Sequence, residues 1–261
     1  MKRSRKGMTA LVTGAASGIG AATARLLAEK GLTVLCTDIR AAGASAIAKQ
    51  IRAAGGNASA CGLDVASEQS WIRAMKKCAK EFGRLDVLVN AAGVASDSPT
   101  ADESLDEWHR ILGVNLDGVF LGTKHALRVM LAQGRGSIVN ISSASGIRVV
   151  PGAAAYTTSK AAVIAFTRSV ALEYAAEGIR VNSISPGGIK TPLWDQTSFF
   201  KDLVTKTGSE EAAYAVLARD TPQGRFAEPD EVAAAVWYLV NGASDFVTGQ
   251  NLVIDGGFTL I

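Results

Sequence analysis

A doubly wound α/β fold, with a mostly parallel seven-stranded sheet covered by helices on both faces, is what this chain of 261 residues predicts. Three observations carry that expectation. Short apolar, β-rich runs alternate with longer amphipathic stretches along the whole chain, the pattern of successive βαβ units. Several strand-like runs, 10–12 and 87–89 among them, are apolar at consecutive positions rather than at alternate ones, as strands buried on both faces are. The first run, 10–12, leads through the glycine-rich turn Thr13-Gly14-Ala15-Ala16-Ser17-Gly18-Ile19-Gly20 into a helix-like stretch, the context in which such a turn acquires meaning.

Taken in order, the strand candidates are 10–12, 33–37, 58–63, 87–90, 137–141, 180–184 and 251–254. Helix candidates 19–30, 44–53, 68–82, 105–131, 153–176 and 229–239 fall between them. Crossovers joining parallel strands are right-handed. Gly55-Gly56-Asn57 reads as a turn, and no repeat, linker or low-complexity block interrupts the pattern. Only 190–227 breaks the alternation. It follows a strand and holds Trp194, Phe199, Phe200, Leu203 and Tyr214. Long excursions in compact domains often form lids, and ligands of open α/β sheets sit at strand carboxyl ends. One domain, 9–261, is expected behind a basic tail, 1–8, with a substrate-binding loop at 190–227.

Composition excludes several classes. Apolar residues make up 48% and charged residues 20%, with a net charge of +3. That balance reads as globular and gives no strong field toward nucleic acid or membrane. The basic start Lys2-Arg3-Ser4-Arg5-Lys6 has no apolar stretch behind it, as a signal peptide would. No apolar run reaches the ~20 residues of a membrane span. A cytoplasmic protein is expected. Cys36, Cys61 and Cys78 are odd in number and widely spaced, which argues against a disulfide framework or a zinc site. His109 and His125 have no partners at ligand spacing, and no metal is expected.

The glycine turn is a phosphate site in physical terms. Glycine lets the backbone turn tightly and approach a diphosphate, while a helix N-terminus offers unpaired N–H groups and partial positive charge. Asp38 ends the second strand about 20 residues beyond the turn, where a carboxylate can accept from an adenosine ribose and repels a 2′-phosphate. Arg40, two residues on, would tolerate a phosphate only by swinging inward. NAD is therefore expected. Asp64 and Val65, ending the third strand, are candidates for the adenine edge. Tyr156 and Lys160 stand one helical turn apart on one face. A phenol titrates near pH 10 unless a neighbouring cation favours its ionised form. A shift of about three units corresponds to roughly 4 kcal/mol.

Together these residues resemble the short-chain dehydrogenase/reductase family, over essentially the whole chain. Thr13–Gly20 is similar to its T-G-x-x-x-G-x-G loop. Asn90-Ala91-Ala92-Gly93 is similar to its N-N-A-G turn, with Ala91 in place of the second asparagine. Asn115 matches a helix asparagine, Ser143 lies thirteen residues before Tyr156, and Tyr156-Thr157-Thr158-Ser159-Lys160 matches Y-x-x-x-K. Pro186-Gly187-Gly188-Ile189-Lys190-Thr191 looks like its P-G-x-x-x-T segment. The resemblance implies a single-domain Rossmann fold and Asn115, Ser143, Tyr156 and Lys160 as the catalytic set. Tyr156 would move the alcohol proton. Lys160 would hold ribose hydroxyls and lower the tyrosine pKa. Ser143 would bind the substrate oxygen, and Asn115 would position a water. Cofactor contacts would come from Gly14, Ser17, Gly18, Ile19, Gly20, Asp38, Asp64, Val65, Asn90, Ala91, Gly93, Tyr156, Lys160, Pro186, Gly187, Ile189 and Thr191.

The residues expected around the substrate are Val94, Ala95, Ser145, Ile147, Val149, Val150, Trp194, Phe199 and Phe200. This apolar set suits a bulky or cyclic secondary alcohol, such as a hydroxysteroid or an alicyclic alcohol. Arg148, the one charge nearby, either meets a carboxylate or points to water. Two alternatives stay open: an NADPH-dependent 3-oxoacyl thioester reductase and a non-catalytic nucleotide-binding regulator. The resemblance also implies a homotetramer, with Val163, Phe166 and Val170 and the apolar ending 258–261 as interface candidates.

Overall fold

The structure is a computed structural model, and it describes residues 7–261. Residues 1–6 of the expected tail lie outside the described residues. Met8 already belongs to the folded body, since its carbonyl accepts from Thr33 N at 2.9 Å and its side chain packs on the core.

Seven parallel strands form one sheet among the described residues: β1 (Thr9–Val12), β2 (Thr33–Asp38), β3 (Asn57–Gly62), β4 (Val87–Asn90), β5 (Gly136–Ile141), β6 (Ile179–Pro186) and β7 (Asn251–Ile254). Their order is β3-β2-β1-β4-β5-β6-β7. The order reverses between β1 and β4, so a crevice opens at their carboxyl ends, where ligands of such sheets bind. All strand pairs are parallel.

Strand alternation divides the core into two layers. Ala10 and Val12 face one side with Val34, Cys36, Val87 and Val89. They pack under α1 (Gly18–Glu29), α2 (Ala41–Ala53) and α9 (Pro229–Val240). Leu11, Leu35 and Leu88 face the other side with Trp71, Met130 and Val170, under α3 (Glu68–Phe82), α5 (Gly118–Gln133) and α6 (Ala154–Tyr174). Each fully buried Leu or Val contributes about 1.5–3 kcal/mol of transfer free energy. Burial pushes the Cys36 and Cys78 thiols up to about 12, with more distant charges as smaller influences.

The expected helix 105–131 is interrupted. It consists of α4 (Leu105–Leu112), one π-helical turn (Gly113–Asp117) and α5. A π turn widens the backbone by one residue and recurs at functional positions; here it carries Asn115. The expected loop 190–227 contains two helices, α7 (Ser198–Thr207) and α8 (Glu210–Leu217). They close over a separate small core of Phe200, Ala213, Tyr214, Ala218 and Phe226.

Candidate active site

A cleft of about 930 Å³ runs along the carboxyl ends of the strands, from the glycine turn to the 190–227 segment. The glycine turn forms its first wall. Gly14 has φ +66°, and a Cβ there would lie 2.8 Å from Ala92 Cα. At Gly20 a Cβ would lie 2.2 Å from the Gly14 carbonyl oxygen. The Thr13 hydroxyl accepts from Ala91 N and Ala92 N, both at 3.0 Å, tying the turn to the segment after β4. This bond uses only the main chain of residue 91, so alanine there leaves it intact. The N-terminus of α1 has no side-chain cap and no acid in its first turn. It opens on the cleft with Ser17, Gly18 and Ile19 in the lining. Those unmet donors suit an anion.

At the end of β2, Asp38 is buried and accepts from Ala16 N at 3.0 Å and Arg40 N at 2.9 Å. The Arg40 guanidinium lies 3.6 Å from Asp38 and donates to the Ser17 hydroxyl at 3.0 Å. Asp64 and Val65 also line the cleft. Diphosphate-ready donors at the start of α1 and a carboxylate at the end of β2 fit a dinucleotide.

The chemistry-bearing groups stand on β5 and α6. Ser142 and Ser143 follow β5, and their side chains diverge as alternation requires. Ser142 Oγ donates to the Lys160 carbonyl at 2.7 Å. Ser143 lines the cleft with Tyr156 and accepts from Ser145 N at 3.1 Å. Lys160 is buried; its Nζ donates to the Ile141 carbonyl at 3.0 Å and lies 5.7 Å from the Tyr156 ring centroid. Burial brings the Lys160 ammonium down to about 8. Burial also raises the Tyr156 pKa, against the smaller opposing effect of the Ser143 hydrogen bond. Lys160 is not among the groups that shift this phenol in the protein by itself; its Nζ is drawn toward the Ile141 carbonyl.

Asn115 is fully buried and has its side chain fully engaged. Nδ2 donates to the Val94 carbonyl at 2.9 Å and to Ser159 Oγ at 3.2 Å, while Oδ1 accepts from Val94 N at 2.9 Å. Ser159 Oγ donates to the Tyr156 carbonyl at 2.6 Å. Asn115 thus clamps the segment after β4 to the helix carrying Tyr156. A Cβ at Gly93 would make only ordinary contacts, 3.4 Å from Asn115 Oδ1 and 3.5 Å from Lys160 Nζ.

Gly14, Ser17, Gly18, Ile19, Gly20, Asp38, Asp64, Val65, Ala91, Gly93, Ser143, Ser145, Val150, Tyr156, Lys160, Pro186, Gly187, Ile189, Thr191, Trp194 and Phe199 all line this cleft. Asn90 does not. It points into the layer beneath, where Nδ2 donates to Asn140 Oδ1 at 2.9 Å and Asn140 passes the chain to Thr167 at 2.9 Å. Phe200 is buried in the small core of the 190–227 segment, and Val149 is 73% exposed outside the cleft, as is the half-exposed Ile147. Arg148 does neither of the expected things. It donates to the Phe258 carbonyl at 2.7 Å and stacks 4.5 Å from the Phe258 ring. Phe258 lines the cleft and was missed; its place just past the carboxyl end of β7 was the available signal. Asp97, Gln196, Asp202, Asp220 and Phe226 also line it without having been expected.

A family model described as enoyl-(acyl carrier protein) reductase matches residues 14–259. A cis-4-hydroxycyclohexanecarboxylate dehydrogenase of Sinomonas cyclohexanicum is 44% identical over 97% of this chain and 96% of its own length. The chain belongs to the short-chain dehydrogenase/reductase family. Members of this family bind a nicotinamide cofactor and act as oxidoreductases. A cyclopentanol dehydrogenase of Comamonas sp. is 41% identical over 95% of this chain and 96% of its own. Among solved structures, a gluconate 5-dehydrogenase from Burkholderia cenocepacia in complex with NADP and tartrate superposes with a TM-score of 0.88. It is 34% identical over 98% of this chain and 96% of that one. Among the described residues no helix is long and apolar enough to cross a membrane, and no cluster of His, Cys, Asp or Glu could hold a metal ion.

Proposed function

We propose that this protein is an NAD-dependent dehydrogenase of ring-bearing secondary alcohols. The placing of Ser143 and Tyr156 in one cleft with the apolar side chains of Val94, Val150, Trp194, Phe199 and Phe258 is the observation that carries it. The names of two relatives, for a hydroxycyclohexanecarboxylate and for cyclopentanol, support the ring-alcohol class.

A bound nicotinamide supplies or takes up the hydride. Gly14–Gly20 and the start of α1 hold the diphosphate, Asp38 the adenosine ribose, and Ile189 and Thr191 the carboxamide. Tyr156 moves the proton at the substrate oxygen, and Ser143 donates a hydrogen bond to that oxygen as charge develops on it. Lys160 holds ribose hydroxyls, and Asn115 acts through Val94 and Ser159 to position the Tyr156 helix. Because burial favours the protonated phenol, ketone reduction runs at neutral pH with Tyr156 as donor. Alcohol oxidation needs the phenolate and rises with pH through the alkaline range.

NAD rather than NADP is favoured because the buried Asp38 carboxylate at the end of β2 would repel a 2′-phosphate, while Arg40 is already paired with Asp38 and hydrogen-bonded to Ser17. Comparing kcat/KM for NAD and NADP, on a panel of cyclopentanol, cyclohexanol and hydroxysteroids, tests both parts. A preference for NADP sinks the cofactor assignment. Turnover confined to 3-oxoacyl thioesters sinks the substrate class.

A homotetramer is also proposed. Its support is changed from the sequence expectation, since Val163 and Val170 are buried in the chain's own core. Phe120, 46% exposed, and Phe166 form an edge-to-face pair on the outer face of α5 and α6, with ring centroids 6.3 Å apart. Leu260 and Ile261 are exposed. A monomer by light scattering would refute the assembly.

A further inference from the structure

Charge is distributed unevenly along the cleft. Among the described residues lining it, the cations are Arg40, beside the glycine turn, and Lys160, whose Nζ is drawn to the Ile141 carbonyl. The substrate end is lined by three carboxylates, Asp97, Asp202 and Asp220, and by no cation. The segment carrying Asp97 continues the bias, with Asp102, Glu103, Asp106 and Glu107 and no Lys or Arg before Arg110. Nearby cations are committed elsewhere. Arg110 is bound to Glu107 at 2.6 and 2.7 Å, Lys190 to Glu228 at 2.7 Å, and Arg225 to Glu231. Arg148, the guanidinium best placed by sequence to meet an acid, holds Phe258 instead.

Asp97 is fixed in this arrangement. Its Oδ2 accepts from Ser198 Oγ at 2.7 Å and Phe199 N at 2.8 Å, at the start of α7. Burial works to raise its pKa, but these hydrogen bonds together lower it. It is therefore an anion across the neutral range, held at the mouth by the lid itself.

We propose that the substrate end of this cleft is an anion filter, with Asp97 as its principal specificity-determining residue: the protein takes uncharged ring alcohols and discriminates against ring carboxylates. The inference rests on the ring-alcohol reading above and narrows it. The physical basis is like-charge repulsion with no guanidinium to offset it, a case in which specificity comes from a disfavoured competitor rather than from an added contact.

The direct test compares kcat/KM for cis-4-hydroxycyclohexanecarboxylate and its methyl ester, with NAD, at neutral pH and low salt. The ester should be favoured by about tenfold or more. The gap should narrow in about 1 M salt, where the screening length falls to about 3 Å. Asp97→Asn should also narrow it. Since that change could loosen α7, the exposed pair Asp202→Asn and Asp220→Asn provides a second variant, which should narrow the gap less. An acid used as well as its ester at low salt, or a gap indifferent to both salt and these substitutions, overturns the filter. Should neither compound turn over while a thioester does, the ring-alcohol reading fails. The filter is then read separately, from thermal protection by cyclohexanecarboxamide against cyclohexanecarboxylate. Stronger protection by the amide supports it, and equal protection refutes it.

Discussion

The floor of the cleft and its lid are joined to the protein by different kinds of contact. The floor is β1, β4 and β5 with the start of α6. Its side chains are buried, and its loops are tied by main-chain partners: Thr13 to residues 91 and 92, Asn115 to Val94, and Ser142 to Lys160. The lid has its own core, in which Trp194, Phe200, Tyr214 and Phe226 stack with centroids 5.0–5.9 Å apart. It meets the segment after β4 through partly exposed polar contacts. These are Asp97 with Ser198 and Phe199, and Gln196 accepting from Ala95 N at 3.0 Å. The main-chain bridges between Ile189 and Ala227 hold its two ends together. The groups proposed to move the proton therefore sit on the more deeply buried part. The proposed substrate contacts sit largely on the part joined to the rest by partly exposed polar contacts, which is where local opening is least costly.

This contrast can be broken first at its largest effect. Tyr156→Phe should reduce kcat by about 10²–10⁴-fold, with NADH binding by fluorescence almost unchanged. Loss of binding together with activity would mean that the floor is not divided between holding and reacting groups. Next come matched core truncations. Leu88→Ala, under the floor, should cost about 2–5 kcal/mol of global stability. Phe200→Ala, equally buried, should move the global midpoint less, while raising KM and admitting protease cleavage within 190–227. Equal losses of global stability would show lid and floor to be one cooperative unit.

A third measurement sharpens the account of Lys160. Its folded pKa, about 8, lies below the ordinary 10.5, so between those values the unfolded chain binds more protons and stability gains with rising pH. The buried Cys36, Cys78 and Tyr156 act in the opposite direction, so the difference between wild type and Lys160→Met is the quantity to follow. That difference should shift in favour of wild type by up to about 3 kcal/mol from neutral pH to pH ~10.5. A flat difference would show that Lys160 is not desolvated. The smallest effect is expected from Gln196→Ala. It removes one partly exposed lid contact, worth about 0.5–1.5 kcal/mol, and should raise KM a few-fold at constant kcat.

Much of the site was readable because it is local. A glycine turn between strand and helix, an acid at the end of β2, and Tyr156 and Lys160 one turn apart follow from spacing along single elements. Strand alternation alone separates Ser142 from Ser143. The misassigned residues depended on faces and distant partners. Asn90 ends its strand in the right place, but its side chain belongs to the layer with Asn140 and Thr167. Phe200 and its neighbour Phe199 divide between the lid's core and the cleft according to helix phase. Asp97 and Gln196 gain their roles from partners about a hundred residues away, which no local pattern displays.

The sequence by itself determined the order of strands and helices, the phosphate-ready turn and the reacting pair, because hydrophobic periodicity and glycine placement act over a few residues. Only the tertiary structure decided that burial raises the Tyr156 pKa, that Arg148 serves Phe258, and that Asp97, Asp202 and Asp220 share one cleft. Desolvation and charge balance are properties of what surrounds a group, and those surroundings are assembled from segments far apart in the chain.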